Sequence, residues 1–408
     1  MKPKKRKTNG KLKPVVIAVF LLTVAVILTL AANHKKKDTA KKINVIIDNE
    51  NVTDNLKSEV FLDENENVYM SFNDIGNYFD ENIFYDNKYL RIITSSRTKI
   101  ASLKINENQM YVNGSNVKIY GAAIEKNGQI YLPFSAMKDV YNVEVNYIEE
   151  TKILTIDSLE KEQKKGNAKK DSEIKYKPTA FSETVDNVKK GDSLFIIKEN
   201  EENGWTKVRT KRGKIGFIKD VTNIYIQREQ LEIKNQINGK VNIINEFSDN
   251  AEQNNDETAS DVINVFSILV ADLDKKEENY VKVKIDPNEL NYINLAHEQN
   301  YKVWGCVSNT NYKDALSEII SDYEKRTKVI DKILKMVIEY KLDGININFE
   351  NVSKNDEEAF SRFIIELAPR LKEYGKAMVV SLKGKNVEEN NFDMSKIEKI
   401  IDYVINME

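Results

Sequence analysis

Cysteine is all but missing from this chain. Cys306 is the only one, so no intramolecular disulfide can form. It falls in an apolar run after Trp304 and reads as a packed strand thiol, since free cysteine is among the most buried residue types. Histidine is nearly as scarce. His34 lies beside a lysine run and His297 in a helix-like stretch from Ile293 to Gln299, and neither has a partner at the spacing of a metal site or a catalytic relay. No metal or cofactor is therefore expected, and any catalysis falls to carboxylates. An excess of one charge is also absent: 62 basic residues stand against 64 acidic ones, for a net charge of −2. That balance argues against a general nucleic-acid binder.

What is present begins with an apolar run. Val15 to Ala32 is interrupted only by Thr23 and Thr29, and at 1.5 Å per residue it is long enough to cross a hydrocarbon core. Lys2, Lys4, Lys5, Arg6, Lys7, Lys11 and Lys13 precede it, which places the N-terminus in the cytoplasm by the positive-inside tendency. The competing reading is a cleaved signal peptide, for which Ala31-Ala32-Asn33-His34 offers a poor exit site. The expectation is a single-pass cell-membrane protein: a basic tail over 1–13, a transmembrane signal anchor over 14–32, a linker over 33–43, and an extracytoplasmic bulk.

Residues 341–350, Lys-Leu-Asp-Gly-Ile-Asn-Ile-Asn-Phe-Glu, are the most informative stretch. Ile345, Ile347 and Phe349 alternate with Asn346, Asn348 and Glu350, so a strand here turns three apolar side chains one way and three polar ones the other. In a (β/α) barrel the polar set points to the mouth, where strand C-termini carry the chemistry. The segment resembles the Asp-x-x-Asp-x-Asp-x-Glu signature of glycoside hydrolase family 18, matched by Asp343, Asn346, Asn348 and Glu350. Tyr292 to Asn309, Arg326 to Val352 and Phe363 to Leu371 resemble the branch of that family containing spore-cortex-lytic N-acetylglucosaminidases. In that branch an Asn at the place of Asn346 is ordinary and one at the place of Asn348 is not.

The resemblance implies a substrate-assisted mechanism, in which the substrate's own N-acetyl oxygen attacks the anomeric carbon. Glu350 is then the general acid. The acid that normally orients the acetamide and balances the cationic intermediate is replaced by Asn348, a loss of preorganised charge that commonly costs about 10²–10³ in rate. Asp343 is the remaining catalytic candidate, able to substitute in part. Asn346, Trp304 and Met407 are the implied substrate contacts.

Two modules precede this region. Val68-Tyr-Met-Ser-Phe72, a helix-like stretch and Ile83-Phe-Tyr85 recur 62 residues later (130 against 68) as Ile130-Tyr-Leu-Pro-Phe134, a helix and Val145-Asn-Tyr147. Residues 44–157 thus form a small α+β repeat domain that resembles the module named for the N-terminal domain of copper amine oxidases. It contains no His, and it reads as a structural or wall-contacting spacer. Residues 158–173 read as a charged, solvated linker. From 174 to 228, Leu194–Ile197, Gly204–Arg209 and Gly213–Ile218 read as short strands and resemble a bacterial SH3 domain, an all-β barrel that in its family often binds peptidoglycan peptides. Trp205 and Tyr225 suit either a binding groove or the core.

From 235 to 408 the chain alternates strand-like and helical runs, giving an incomplete (β/α)8 TIM-type barrel with six strands, the signature lying on the fourth. Asp402 to Met407 resembles the sixth strand of the family, whose Met is followed by Tyr and Asp; strands seven and eight are missing from the sequence. The C-terminus is accordingly expected to be truncated. The expected function is hydrolysis of peptidoglycan or other N-acetylglucosamine glycans, impaired by Asn348 and the missing C-terminus. The alternative is a non-catalytic cell-wall-binding or scaffold protein.

Overall fold

A computed structural model describes residues 42–202, 204–230, 240–245, 262–310, 316–350, 352–383 and 394–407. The expected anchor over 14–32 lies outside the described residues, and among those described no helix is long and apolar enough to cross a membrane. The chain divides into two compact units: residues up to Phe61 with Val145–Asp157 and Lys165–Ile224, and Leu62–Glu144 with Ser158–Lys164 and the residues from Tyr225 onward.

In the first unit, Asn44–Ile47 runs parallel to Ile153–Ser158, with Asn44 opposite Ile153 and Ile47 opposite Ile156. The ends of the repeat module therefore meet in one sheet. The other sheet of the unit contains the strands expected from the sequence, with Trp205–Thr210 antiparallel to both Ser193–Glu202 and Ile215–Ile218. Ile174, Leu194, Val208 and Ile218 fill its core.

Residues 158–173 are not the solvated linker that their charge suggested. Gln163–Ala168 and Ser172–Lys175 are strands of this same sheet. Gln163, Gly166 and Ala168 are buried while Lys164, Lys165 and Asn167 are partly exposed, so the lysines mark the wet side of a strand. A Cβ on Gly166 would come within 2.8 Å of the Val221 side chain, which explains why the smallest residue stands there. Trp205 is 7% exposed and belongs to the interior, whereas Tyr225 is 52% exposed.

The second unit holds the rest of the repeat and the barrel strands. Each repeat copy is a strand that runs directly into a helix, Val68–Ser71 into Phe72–Tyr78 and Gln129–Pro133 into Phe134–Tyr141, and the two strands pair antiparallel with Tyr131 opposite Ser71. Ser71 caps its helix by accepting from the Asp74 N–H at 3.1 Å. Its counterpart Pro133 makes no side-chain cap. Phe84–Asp86, Arg91–Ser95, Ile100–Lys104, Gln109–Val112 and Ser115–Lys118 form an antiparallel five-stranded sheet.

Six barrel strands follow in sequence order: Lys240–Ile244, Val262–Leu273, Lys302–Ser308, Gly344–Asn348, Ala377–Lys383 and Tyr403–Met407. Every neighbouring pair is parallel, as the alternation of strand and helix predicts. A short strand, Val281–Val283, adds antiparallel to the second. Pro287–Glu298 is a helix whose capping box, Asp286 with Glu289 and Pro287 between them, is written in the sequence. The helical periodicity that the sequence carries over 314–340 does not give one helix: it breaks at Asp322, which accepts from the Glu324 and Lys325 N–H groups and starts a new helix, Tyr323–Glu339. Over 394–400, where the sequence suggests a helix after the fifth strand, the described residues form a short 3-10 turn, Met394–Lys396.

Side-chain alternation sorts the barrel strands into two faces. Val303, Val307, Ile345, Ile347, Met378 and Val380 pack with the helices in one continuous core. Val265, Trp304 and Val379 form a smaller cluster on the other face, where Tyr403 and Ile405 join them. Helices Tyr323–Glu339 and Glu357–Glu373 are joined by a buried bidentate pair, Arg326 to Glu366 at 2.9 and 2.8 Å, with the two residues 2% and 4% exposed. Removing one partner strands a charge in the core. Glu366→Ala is expected to cost about 3–5 kcal/mol, read from urea unfolding, while Glu81→Ala, which breaks an exposed pair with Lys399, should cost less than about 1 kcal/mol.

Candidate functional site

The fourth barrel strand ends at Asn348, and the chain continues through Phe349, 7% exposed against the helices, to Glu350, which is half-buried. Glu350 is therefore presented just past the strand's C-terminal end, where a parallel barrel places its working groups. Its main chain is clamped from the neighbouring strand. The Asn309 side chain accepts from the Glu350 N–H at 2.7 Å and donates to the Glu350 carbonyl at 2.9 Å. Asn309 is fully buried, so one amide extends the pairing of the third and fourth strands beyond Ser308 opposite Asn348.

Register brings further polar groups to the same level. Asp272 lies opposite Ser308, and Ser308 opposite Asn348. The second strand reaches this alignment through a register shift between Leu269 and Ala271, a bulge that accommodates one extra residue. Ser308 Oγ donates to Asp272, whose other oxygen lies 3.3 Å from Lys284 Nζ. Asn346, one pleat deeper than Asn348, is 5% exposed and accepts from Ser381 Oγ at 2.9 Å.

Cys306 sits beside Asn348. Burial pushes its thiol up to about 11, against a hydrogen bond with Asn348 and with help from the Asp272 charge. It is thus a packed strand thiol, as the sequence suggested, and not a poised nucleophile.

Not every expected site residue reaches this end. Asp343 precedes the fourth strand, at the opposite end of it from Glu350. Its carboxylate accepts from the Val303 N–H at 3.0 Å and contacts His297 Nε2 at 3.0 Å, with Lys302 Nζ at 3.5 Å. Burial alone would raise this acid, but the Val303 and His297 hydrogen bonds and the Lys302 charge hold it below the ordinary carboxylate value. Asp343 thus ties the strand starts together and cannot stand in for a charge at Asn348. His297, which has no partner by sequence spacing, has one in space.

Trp304 is also misplaced as a substrate contact. It pairs in register with Gly344 at the start of the fourth strand, is 1% exposed, and lies 5.0 Å from the Tyr403 ring. It fills the interior near the strand starts, and a Cβ on Gly344 would come within 2.9 Å of its ring. Met407 belongs to the sixth strand, opposite Lys383. The structure therefore gathers Asn346, Asn348 and Glu350 and leaves Asp343 and Trp304 apart. Asn309, Ser308 and Asp272 were missed. Their signal was a polar residue ending an apolar strand run, in Val307-Ser308-Asn309 and Val270-Ala271-Asp272.

Residues 244–407 match the family model described as glycosyl hydrolases family 18, and residues 46–156 match the copper amine oxidase N-terminal domain. Among curated proteins, one described as an uncharacterized glycosylase, YvbX of Bacillus subtilis, is 27% identical over 28% of this chain and 36% of its own length. Solved structures similar to the chain include a chitinase from Chromobacterium violaceum, 21% identical, covering 35% of this chain and 47% of that one with a TM-score of 0.32. A Group IV chitinase from Ostrinia furnacalis is 20% identical over 35% of this chain and 42% of its own, also with a TM-score of 0.32. The chain thus spans about a third to a half of the relatives it matches.

Two measurements check this geometry. At pH 8 a thiol raised to about 11 is about 0.1% ionised, against about a quarter for an ordinary cysteine; disulfide-reagent titration of Cys306 should run more than tenfold slower in the folded chain than in urea. Asn309→Leu leaves the Glu350 N–H and carbonyl without their clamp, and urea unfolding should show a loss of about 2 kcal/mol or more.

Proposed function

We propose that the chain hydrolyses a glycan containing β-1,4-linked N-acetylglucosamine, peptidoglycan or a chitin-like polymer, by substrate-assisted catalysis with Glu350 as the general acid. The observation that carries this reading is the placement of Glu350 past the C-terminal end of the fourth parallel strand, with its backbone pinned by Asn309. The match of residues 244–407 to glycosyl hydrolases family 18 supports it, as does the glycosylase description of the curated relative.

Each residue then has a role. Glu350 donates a proton to the leaving oxygen as the substrate's acetamide oxygen closes on the anomeric carbon, and afterwards accepts one from water. Asn348 hydrogen-bonds the acetamide and orients it. It brings no negative charge, so the cationic intermediate is under-stabilised and turnover is slow. Asn346, held by Ser381, supports the strand beneath. The uncharged Asn348 also favours a second reading, in which the chain binds wall glycan without cutting it. On either reading the apolar run Val15–Ala32 anchors the chain in the membrane with its bulk outside, and the β-rich module over 174–228 is SH3-like and holds wall polymer.

Glu350→Gln should abolish release of reducing ends from an N-acetylglucosamine oligomer while leaving glycan binding intact. Asn348→Asp should raise that release about 10²-fold. Binding without release in both the parent chain and Asn348→Asp would leave the non-catalytic reading.

A further inference from the structure

Away from the strand ends, the second unit holds a half-open cavity of about 270 Å3 with no part in the chemistry above. The five-stranded sheet of the repeat module supplies one wall and helix Tyr323–Glu339 with helix Glu357–Glu373 the other. These walls are docked by direct contacts: Tyr89 donates to Asp322 at 2.9 Å, and the Arg362 guanidinium lies 4.3 Å over the Phe84 ring.

Arg91 sets the chemistry of the cavity. Its guanidinium stands between two rings, 5.5 Å from the centre of Tyr111 and 5.0 Å from that of Tyr323, and Nη1 donates to Ser102 Oγ at 3.0 Å. Its Nε is buried and meets no acceptor among the described residues. The neighbouring charges are already balanced, since Arg370 pairs with Asp331 and Glu366 with Arg326. Arg91 makes no ion pair among the described residues, which leaves one uncompensated positive charge facing the space. Ile93, Ile100 and Ile330 make part of the remaining wall aliphatic.

We propose that this cavity binds a small carboxylate with an aliphatic body, of the size and kind of a dialanine C-terminus. A guanidinium offers a planar fork that matches a carboxylate, and here the flanking rings hold the plane. The isoleucines take methyl groups. The volume lies just below the roughly 300–1,000 Å3 of pockets for drug-sized ligands, which suits two small residues and excludes a long oligosaccharide. Because Arg91 and Tyr111 come from the module and Tyr323 from a barrel helix, an occupant bridges the two and stabilises their docking.

The test is calorimetric titration of the 408-residue chain with N-acetyl-dialanine in its L,L and D,D forms, with the C-terminal amides as uncharged controls. The expected result is saturable one-site binding of at least one acid, at least tenfold weaker for its amide and for Arg91→Gln, with circular dichroism reporting the fold of the variant. Thr327→Trp fills the cavity from a partly exposed helix position and should abolish binding independently of Arg91. No saturable binding of either acid, an amide bound as tightly as its acid, or unchanged binding in Thr327→Trp overturns the proposal.

Discussion

Parallel pairing of the third and fourth barrel strands, in the register that sets Ser308 opposite Asn348, is the constraint on which the candidate site depends. Successive side chains on a strand point to opposite faces, so fixing one residue fixes the column. With Ile345 and Ile347 committed to the helix-side core, Asn346 and Asn348 must face the interior, and Glu350 emerges in phase at the exit. The Asn309 amide carries the pairing past the last regular rung. Asp343 secures the other end of the same strand through the Val303 N–H. The segment is therefore held at both ends by side chain to backbone bonds, which in physical terms is preorganisation of whatever Glu350 touches.

Much of this was legible in the sequence because it follows from period. The alternation over Gly344 to Phe349 gave the strand, its buried face and its polar face, whereas the helix starts at Asp286-Pro287 and Asp322 emerged only in the structure. The repeat was likewise visible, since both copies carry the same strand-into-helix pattern. What could not be read was partnership across long separations. Asp343 looks like a site acid until His297 and Val303, 46 and 40 residues away, are found on it. Trp304 looks like a sugar platform until Gly344 is seen to make room for it inside. The lysines of 164–165 suggested solvent, and only the sheet around them shows that alternate residues are buried.

The chemistry of the site is defined as much by what stands beside Glu350 as by the acid itself. At the level of Asn348 the interior carries an amide, a raised thiol at Cys306 and, two strands away, an Asp272 already engaged by Ser308 and Lys284. Glu350 is thus set among groups that supply orientation and little free negative charge. On the proposed reading, binding an acetamido sugar and stabilising the cation formed from it are separate demands, and these groups serve the first better than the second.

The most direct test of the account is the stereochemistry of the first product. If the proposed substrate-assisted route holds, proton NMR of fresh digests of an N-acetylglucosamine oligomer should show the new reducing end in the β configuration, with no cleavage of the fully de-N-acetylated oligomer, because that route makes the substrate's own acetamide the nucleophile. An α product, or equal cleavage of the de-N-acetylated oligomer, would contradict the role given to Glu350 and Asn348.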